Sequence, residues 1–289
     1  MQFEKNCAVN SAGADLHMHT NYSDGVFEPS ALLKKVKKAG MEIVSITDHD
    51  TVDALDEAID IGDELNIEVI PGVELSVSTG DNDIHLLAYF FDYKNSDLLA
   101  YLHFAKAERY SRAVRIVEKL HSIGIPLDFD AVLSFAGKGC ICRTHIAKAL
   151  HKNKFVHSLQ ESFVKYIGYG QPAYEEKKTL SIKEAIALIN SAGGLTFIAH
   201  PGKNFSDAVF HQLVDDGIDG IEVIHPSHTT QLVKHYRSLA TEYFLLESGG
   251  SDFNGAERND GMYIGTYTIP TSFVDTMRHR LFQQTYVTI

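Results

Sequence analysis

The stretch Ile43-Val44-Ser45-Ile46-Thr47-Asp48-His49-Asp50 runs from a short β-favouring segment straight into groups that can titrate or hold a metal. A brief, nearly continuous apolar run of this kind fits a strand covered on both faces, as in a parallel sheet flanked by helices. Its neighbours agree. Residues 29–39 open with Pro29 at a first helical position and stop at Gly40. Residues 53–65 carry a second helical pattern, and another apolar run follows at 67–70.

The same alternation extends along the chain. Short β-rich runs lie at 14–16, 43–47, 67–70, 85–90, 195–199, 218–224 and 243–247, and further amphipathic stretches cover 181–192, 206–216 and 229–241. Strands alternating with helices predict parallel pairing. Seven such strands predict an α/β fold of the (β/α)7 barrel kind, with its working residues at the strand C-terminal ends. The rhythm breaks between residues 96 and 179. Residues 96–123 read as one long helix, with Leu98, Leu99, Leu102, Ala105, Val114, Val117 and Leu120 on an apolar face, and shorter helical pieces follow at 146–150 and 159–167. The expected organisation is a first barrel part at 1–95, a mainly helical insertion capping the mouth at 96–179, and a second barrel part at 180–289.

Composition narrows the function. With 289 residues, 44% hydrophobic and 22% charged, the chain can bury a sizeable core. Residues 1–13 lack an apolar core flanked by basic residues, and no run of 18 apolar residues occurs, so neither a signal peptide nor a membrane span is expected. Cys7, Cys140 and Cys142 form an odd set too sparse for a zinc knuckle. They read as buried thiols in a reducing, cytoplasmic setting. The formal net charge of −12 disfavours long nucleic acid as a partner. It leaves room for a small phosphorylated substrate, because bound cations reverse the local field. No protein partner is indicated. Fifteen histidines are an excess that points to metal.

Those histidines and the carboxylates sit where strands meet loops. The first run leads into Asp15-Leu16-His17-Met18-His19-Thr20, whose two imidazoles share one side because side chains repeat every two residues. Ser23-Asp24-Gly25 follows. The second run ends in Thr47-Asp48-His49, the third in Pro71-Gly72-Val73-Glu74, and the fourth opens with His85. The fifth ends in His200-Pro201 and the last in Gly250-Ser251-Asp252. One histidine on an apolar strand is usually a satisfied core group. The recurrence at one strand end after another is not chance placement, because the barrel brings those ends to one mouth. A donor set of His with Asp and Glu, without cysteine, suits Mn²⁺, Zn²⁺ or Fe²⁺. Asp48 and Asp50 read as supporting or turn groups. His103, His121, His151, His157, His211, His235 and His279 fall on helical patterns away from strand ends.

In order and spacing, these motifs resemble the polymerase and histidinol phosphatase (PHP) family over nearly the whole chain. The resemblance implies a distorted seven-stranded β/α barrel. It points to the family's stand-alone phosphoesterases, some of which remove the 3′-phosphate from nucleoside 3′,5′-bisphosphates and some of which trim short RNA from the 5′ end. It implies one ion held by His17, His19, Glu74 and Asp252. A second would share Glu74 and take His85 and His200. A third would use Asp24 and His49. A histidine two residues beyond the final aspartate usually completes that third site, and this chain has Asn254 there, a weaker ligand than imidazole for Zn²⁺ or Fe²⁺ but acceptable for Mn²⁺. Two or three divalent ions are thus expected, Mn²⁺ first, with Zn²⁺ or Fe²⁺ as alternatives.

The resemblance also places Arg143, in Cys142-Arg143-Thr144-His145-Ile146-Ala147, against substrate phosphate beside a helix N-terminus. His228, in His225-Pro226-Ser227-His228, would contact the phosphate or the leaving group. The implied function is hydrolysis of a phosphate ester of a small nucleotide, such as a nucleoside 3′,5′-bisphosphate, by a metal-bridging hydroxide. The alternatives are 5′–3′ trimming of short RNA, a sugar- or histidinol-type phosphatase, and a degenerate module that binds a phosphorylated ligand. An amidohydrolase on a similar barrel would need a lysine at a mid-barrel strand end, and none of the seven runs ends in lysine.

Overall fold

Strand β2 (Ile43–Ile46) lies parallel between β1 (Gly13–Asp15) and β3 (Glu68–Ser78), with Asp15 opposite Val44 and Val44 opposite Val69. In the computed structural model, which describes residues 13–78, 83–255 and 262–287, these belong to one sheet. The other strands are β4 (Asp83–Tyr89), β5 (Leu180–Ser181), β6 (Leu195–Ile198), β7 (Gly220–Ile224), β8 (Leu246–Gly249) and β9 (Ile269–Pro270). The order across the sheet is β8-β7-β6-β4-β3-β2-β1-β9, and β5 pairs with β3. The two ends meet. Leu16 N donates to Gly249 O at 3.1 Å, His19 N donates to Phe253 O at 2.8 Å, and Asp15 Oδ1 accepts from Ser251 N at 2.9 Å. The seven expected strands therefore wrap into a nearly closed barrel, and β5 and β9 are two-residue additions.

The pairing departs from an all-parallel sheet at β4. It runs antiparallel to both β3 and β6, with Ser76 opposite His85 and Leu86 opposite Ile198. The reason is the length of the connection. Ser78 and Asp83 are too close in sequence for a crossover helix, which a parallel return requires. β3 is also longer than the run at 67–70. It continues through Pro71, the last residue paired with β2, and from Gly72 pairs with β4. Proline is tolerated at that handover because it has no N–H to donate to a ladder. β8 begins three residues later than expected, at Leu246.

The helices match their sequence patterns except at 129–136, where none was expected. They are α1 (Pro29–Lys38), α2 (Leu55–Leu65), α3 (Ser96–Ser122), α4 (Phe129–Ala136), α5 (Arg143–Lys152), α6 (Leu159–Ser162), α7 (Ile182–Ser191), α8 (Asp207–Asp215), α9 (Thr230–Glu242) and α10 (Thr271–Val287). A π-helical turn, Phe163–Ile167, follows α6. The Asn95 side chain caps α3 by accepting from Asp97 N and Leu98 N, and Ser181 with Glu184 forms a capping box on α7. The helical pattern expected around His279 is part of α10. Val274 and Met277 of this helix are buried in one core with Leu16, Tyr89, Phe197 and Leu246 of the barrel strands and their ends.

Two further cores organise the packing. Leu98 and Leu102, early in α3, belong to the barrel core. Ala113, Ile116, Val117 and Leu120, later in the same helix, belong to a separate core shared with α4 and α5. One rigid helix therefore ties the second core to the barrel. No described helix is long and apolar enough to cross a membrane.

Closure depends on Gly250. A Cβ there would lie 2.4 Å from His17 N, 2.5 Å from His17 Cβ and 2.7 Å from Asp15 Oδ1. Gly250→Ala is expected to cost about 1–3 kcal/mol by overpacking. Urea denaturation checks this, and an unchanged midpoint would contradict the tight β8–β1 seam.

Candidate metal centre

Five imidazoles converge on one buried carboxylate. Glu74 Oε2 lies 3.2 Å from His17 Nε2, 3.3 Å from His19 Nε2 and 3.1 Å from His49 Nδ1. Glu74 Oε1 lies 2.6 Å from His85 Nδ1 and 2.9 Å from His200 Nε2. Asp252 Oδ1 adds a second carboxylate, 3.1 Å from His19 Nε2 and 3.7 Å from His17 Nε2. The fold explains the gathering. His17 and His19 leave β1, His49 leaves β2, Glu74 lies within β3, His200 leaves β6 and Asp252 leaves β8. His85 reaches the mouth because antiparallel β4 begins there.

The donor set fits divalent ions. A neutral imidazole donates through one nitrogen and offers a lone pair on the other. His17 Nδ1 donates to Glu222 Oε1 at 2.9 Å, which leaves Nε2 as the lone-pair nitrogen facing Glu74. His19 Nε2 and His49 Nδ1 are buried close to carboxylate oxygens but make no hydrogen bond, which leaves them as orphaned polar atoms that a bound ion would satisfy. Sets of three donors with mutual spacing fit for an ion include His17, Glu74 and His200; His17, His19 and Asp252; and His19, His49 and Glu74. Burial opposes the charge on Glu74, yet the surrounding His49, His85 and His17 hold its carboxyl well below the usual range. Burial drives His49 down to about 3, whereas Asp252 and Glu74 outweigh burial at His19 and bring it up to about 10.

A layer of supporting groups fixes these side chains. Glu222 also accepts from His200 N at 2.6 Å. Asp48 accepts from Thr20 N and from the Thr20 and Ser23 hydroxyls, which holds the loop carrying Asp24. Asp50 accepts from Ser76 N at 2.7 Å and from Arg109 Nε at 2.7 Å. Three groups at this mouth, Asp50, His200 and Asp252, have φ of 49°, 26° and 46°, a left-handed conformation that costs a non-glycine residue energy and collects at functional sites.

The same cavity is also lined by Arg109, Arg112, Arg143, Lys177, Thr144 and Phe163; its volume is about 200 Å³. Arg143 Nη1 donates to Ile167 O at 3.4 Å, and its guanidinium lies 5.8 Å from the Phe163 ring and 5.9 Å from the Tyr174 ring. Lys177 Nζ donates to Ser76 Oγ at 2.6 Å.

The sequence of this chain matches the PHP domain over residues 15–180. The chain belongs to the PHP family. It is 34% identical over 245 residues to a 5′-3′ exoribonuclease of Haemophilus influenzae, covering 83% of this chain and 89% of that one. It is 31% identical over 249 residues to a 3′,5′-nucleoside bisphosphate phosphatase of Chromobacterium violaceum, covering 84% and 87%. A solved structure from Bifidobacterium adolescentis, described as a metal-dependent phosphoesterase, superposes with a TM-score of 0.85 at 30% identity, covering 93% of this chain and 96% of that one. This PHP protein is thus a metal-dependent phosphoesterase, a hydrolase of phosphoric esters.

Among the residues expected from sequence, Asp24, His49, Glu74, His85, Arg143, His200, Asp252 and Asn254 line the PHP cavity, with His17 and His19 buried beneath it. His228 does not line it. Its Nδ1 donates to Val223 O at 2.9 Å and its Nε2 accepts from Gly202 N at 3.3 Å, so the main chain uses both nitrogens. Sequence reasoning missed Glu222, Arg109, Arg112 and Lys177. Glu222 had a signal: it is the one charged residue in the run Gly220-Ile221-Glu222-Val223-Ile224. Cys140 and Cys142 are buried free thiols, as expected, and Cys7 lies outside the described residues.

Two substitutions test the centre. Glu74→Gln is expected to abolish both bound metal and turnover; retention of tightly bound ions would rule out Glu74 as the shared ligand. Glu222→Gln, which alters the partner of His17 Nδ1 and of the His200 amide, is expected to weaken metal affinity by about 10–100-fold. Titration with a competing chelator checks this, and wild-type affinity would refute the orienting role.

Proposed function

We propose that this enzyme hydrolyses the phosphate ester of a small nucleotide. The observation that carries the reading is that one small cavity is lined both by the carboxylates and imidazoles and by Arg112, Arg143 and Lys177. Divalent ions held by His17, His19, Glu74, His85, His200 and Asp252 would supply Lewis acidity and a nucleophile from water at neutral pH. Mn²⁺ is the first choice for this oxygen- and nitrogen-rich set. Arg143 would grip a phosphoryl group, its plane held by Phe163, Tyr174 and the Ile167 carbonyl. Lys177 adds a point charge beside it.

Size and surface favour a short substrate. The cavity falls below the roughly 300–1,000 Å³ that encloses a whole drug-sized ligand, so it takes the phosphate and leaves the base outside. Tyr169, 70% exposed, has its ring 5.3 Å from that of Tyr174, which lies 5.9 Å from the Arg143 guanidinium. Aromatic faces of this kind stack bases without reading sequence. We take residues 96–179 to be the cap that supplies the cations, and a cytoplasmic enzyme with no membrane or protein partner to be the working form. A net charge of −12 repels long polyanions. Similarity to a bisphosphate phosphatase and to an exoribonuclease supports both this reading and its alternative, trimming of short RNA from the 5′ end.

The test is phosphate release with Mn²⁺ from nucleoside 3′,5′-bisphosphate, compared at fixed salt with RNA oligomers of increasing length. The mononucleotide is expected to give the highest kcat/KM. A steady climb with length would make the enzyme an exonuclease instead. Arg143→Ala is expected to lower kcat/KM by about 10–200-fold, the worth of one charge-assisted contact. Unchanged kinetics would remove Arg143 from the site.

A further inference from the structure

We propose that the sulfur of Cys142 joins Asp24 and His49 in holding the third ion. The proposal rests on the metal reading above and changes its third site.

Three observations support it. The sulfur of Cys142, a carboxylate oxygen of Asp24 and a ring nitrogen of His49 all lie within 4.8 Å of one another. Bond lengths of about 2.3 Å to sulfur and about 2.0–2.2 Å to nitrogen and oxygen put neighbouring tetrahedral ligands roughly 3.5 Å apart, so only a modest contraction is needed. The position is also fixed from both sides. Cys142 is the residue preceding α5, whose Thr144 hydroxyl donates to Asp24 Oδ2 at 3.1 Å, so the same helix start sets both the sulfur and the carboxylate. Finally, Arg109 Nη1 lies 3.3 Å from Cys142 Sγ while its Nε binds Asp50, which puts a fixed cation beside the sulfur. Burial pushes the Cys142 thiol well up and the guanidinium offsets part of that, so the thiol gives up its proton on binding an ion rather than to water alone.

Cys140, two residues earlier, is fully buried and belongs to no such donor group among the described residues, so the assignment is specific to Cys142. Coordination would exchange the thiol proton for the metal: the S–H bond breaks, an S–metal bond forms and the proton leaves to solvent. No oxidation is involved. The consequence is a mixed preference. The centre around Glu74 has only nitrogen and oxygen donors, but a thiolate biases the third site towards Zn²⁺, Co²⁺ or Fe²⁺ over Mn²⁺.

Cobalt substitution reads the ligand directly. Metal-free enzyme loaded with Co²⁺ is expected to show a sulfur-to-cobalt charge-transfer band in the near ultraviolet. The band should persist in Cys140→Ser and Cys7→Ser and vanish in Cys142→Ser. Serine is a favourable residue at a helix start, so that variant should fold. Its metal content should fall by one ion, or the affinity for that ion by about 10-fold or more. Cobalt uptake without the band, or a band that survives in Cys142→Ser, overturns the cysteine assignment and leaves the centre around Glu74 intact. No uptake at all overturns both. Zinc-edge X-ray absorption of the wild-type enzyme needs no variant: a sulfur scatterer at about 2.3 Å supports the assignment, and a shell of nitrogen and oxygen alone refutes it.

Discussion

A carboxylate buried among five imidazoles governs this structure. Charge placed out of water is costly unless paired or bound to metal. Glu74 is surrounded by nitrogens from β1, β2, β4 and β6 within 2.6–3.3 Å. That arrangement exists only if the barrel closes, because His17 and Asp252 come from the two strands at the seam. It also requires β4 to run backwards, because a parallel β4 would carry His85 to the opposite end. Closure, the hairpin and the handover at Pro71 are thus conditions for one ligand set rather than separate features of the sheet.

The supporting layer shows where stability is given up for function. Glu222 is a buried charge inside a strand that could otherwise be wholly apolar, and it is satisfied by His17 and by the His200 amide. Asp50 and Arg109 form a buried pair that reaches Ser76 and Cys142. Removing one partner of such a pair leaves an uncompensated charge, whereas the pair itself adds little net stability. Together with the left-handed backbone at His200 and Asp252, these groups preorganise ligands that packing alone would not hold.

Much of this was legible in the sequence because barrel strands leave a local trace. Short apolar runs ending in His, Asp or Glu fixed the strands and most candidate ligands. Helix ends were legible from Pro29, Gly40 and Ser181. What failed depended on distant pairing. The direction of β4 is set by a short connection that a pattern of alternation overlooks. Glu74 looked like a residue past a strand end, although β3 continues through Pro71 to Ser78. Arg109 and Arg112 sit at buried positions of α3 in line with Leu102, Ala105 and Ile116, so two cations interrupting an apolar stripe were a signal left unread. Lys177 has no periodic context at all, and His228 looked like a site residue until its two backbone partners were seen.

The cavity draws on two parts of the chain. Its histidines and carboxylates come from the barrel, and its cations and Phe163 come from residues 109–177. The central claim concerns the first group: Glu74 is shared between ions. Crystals of the Mn²⁺-loaded enzyme, measured at the manganese absorption edge, test it most directly. The account predicts two anomalous peaks, each about 2.0–2.2 Å from a different Glu74 oxygen, one among His17, His19 and Asp252 and the other beside His85 and His200. Peaks elsewhere, or none in contact with Glu74, would contradict it.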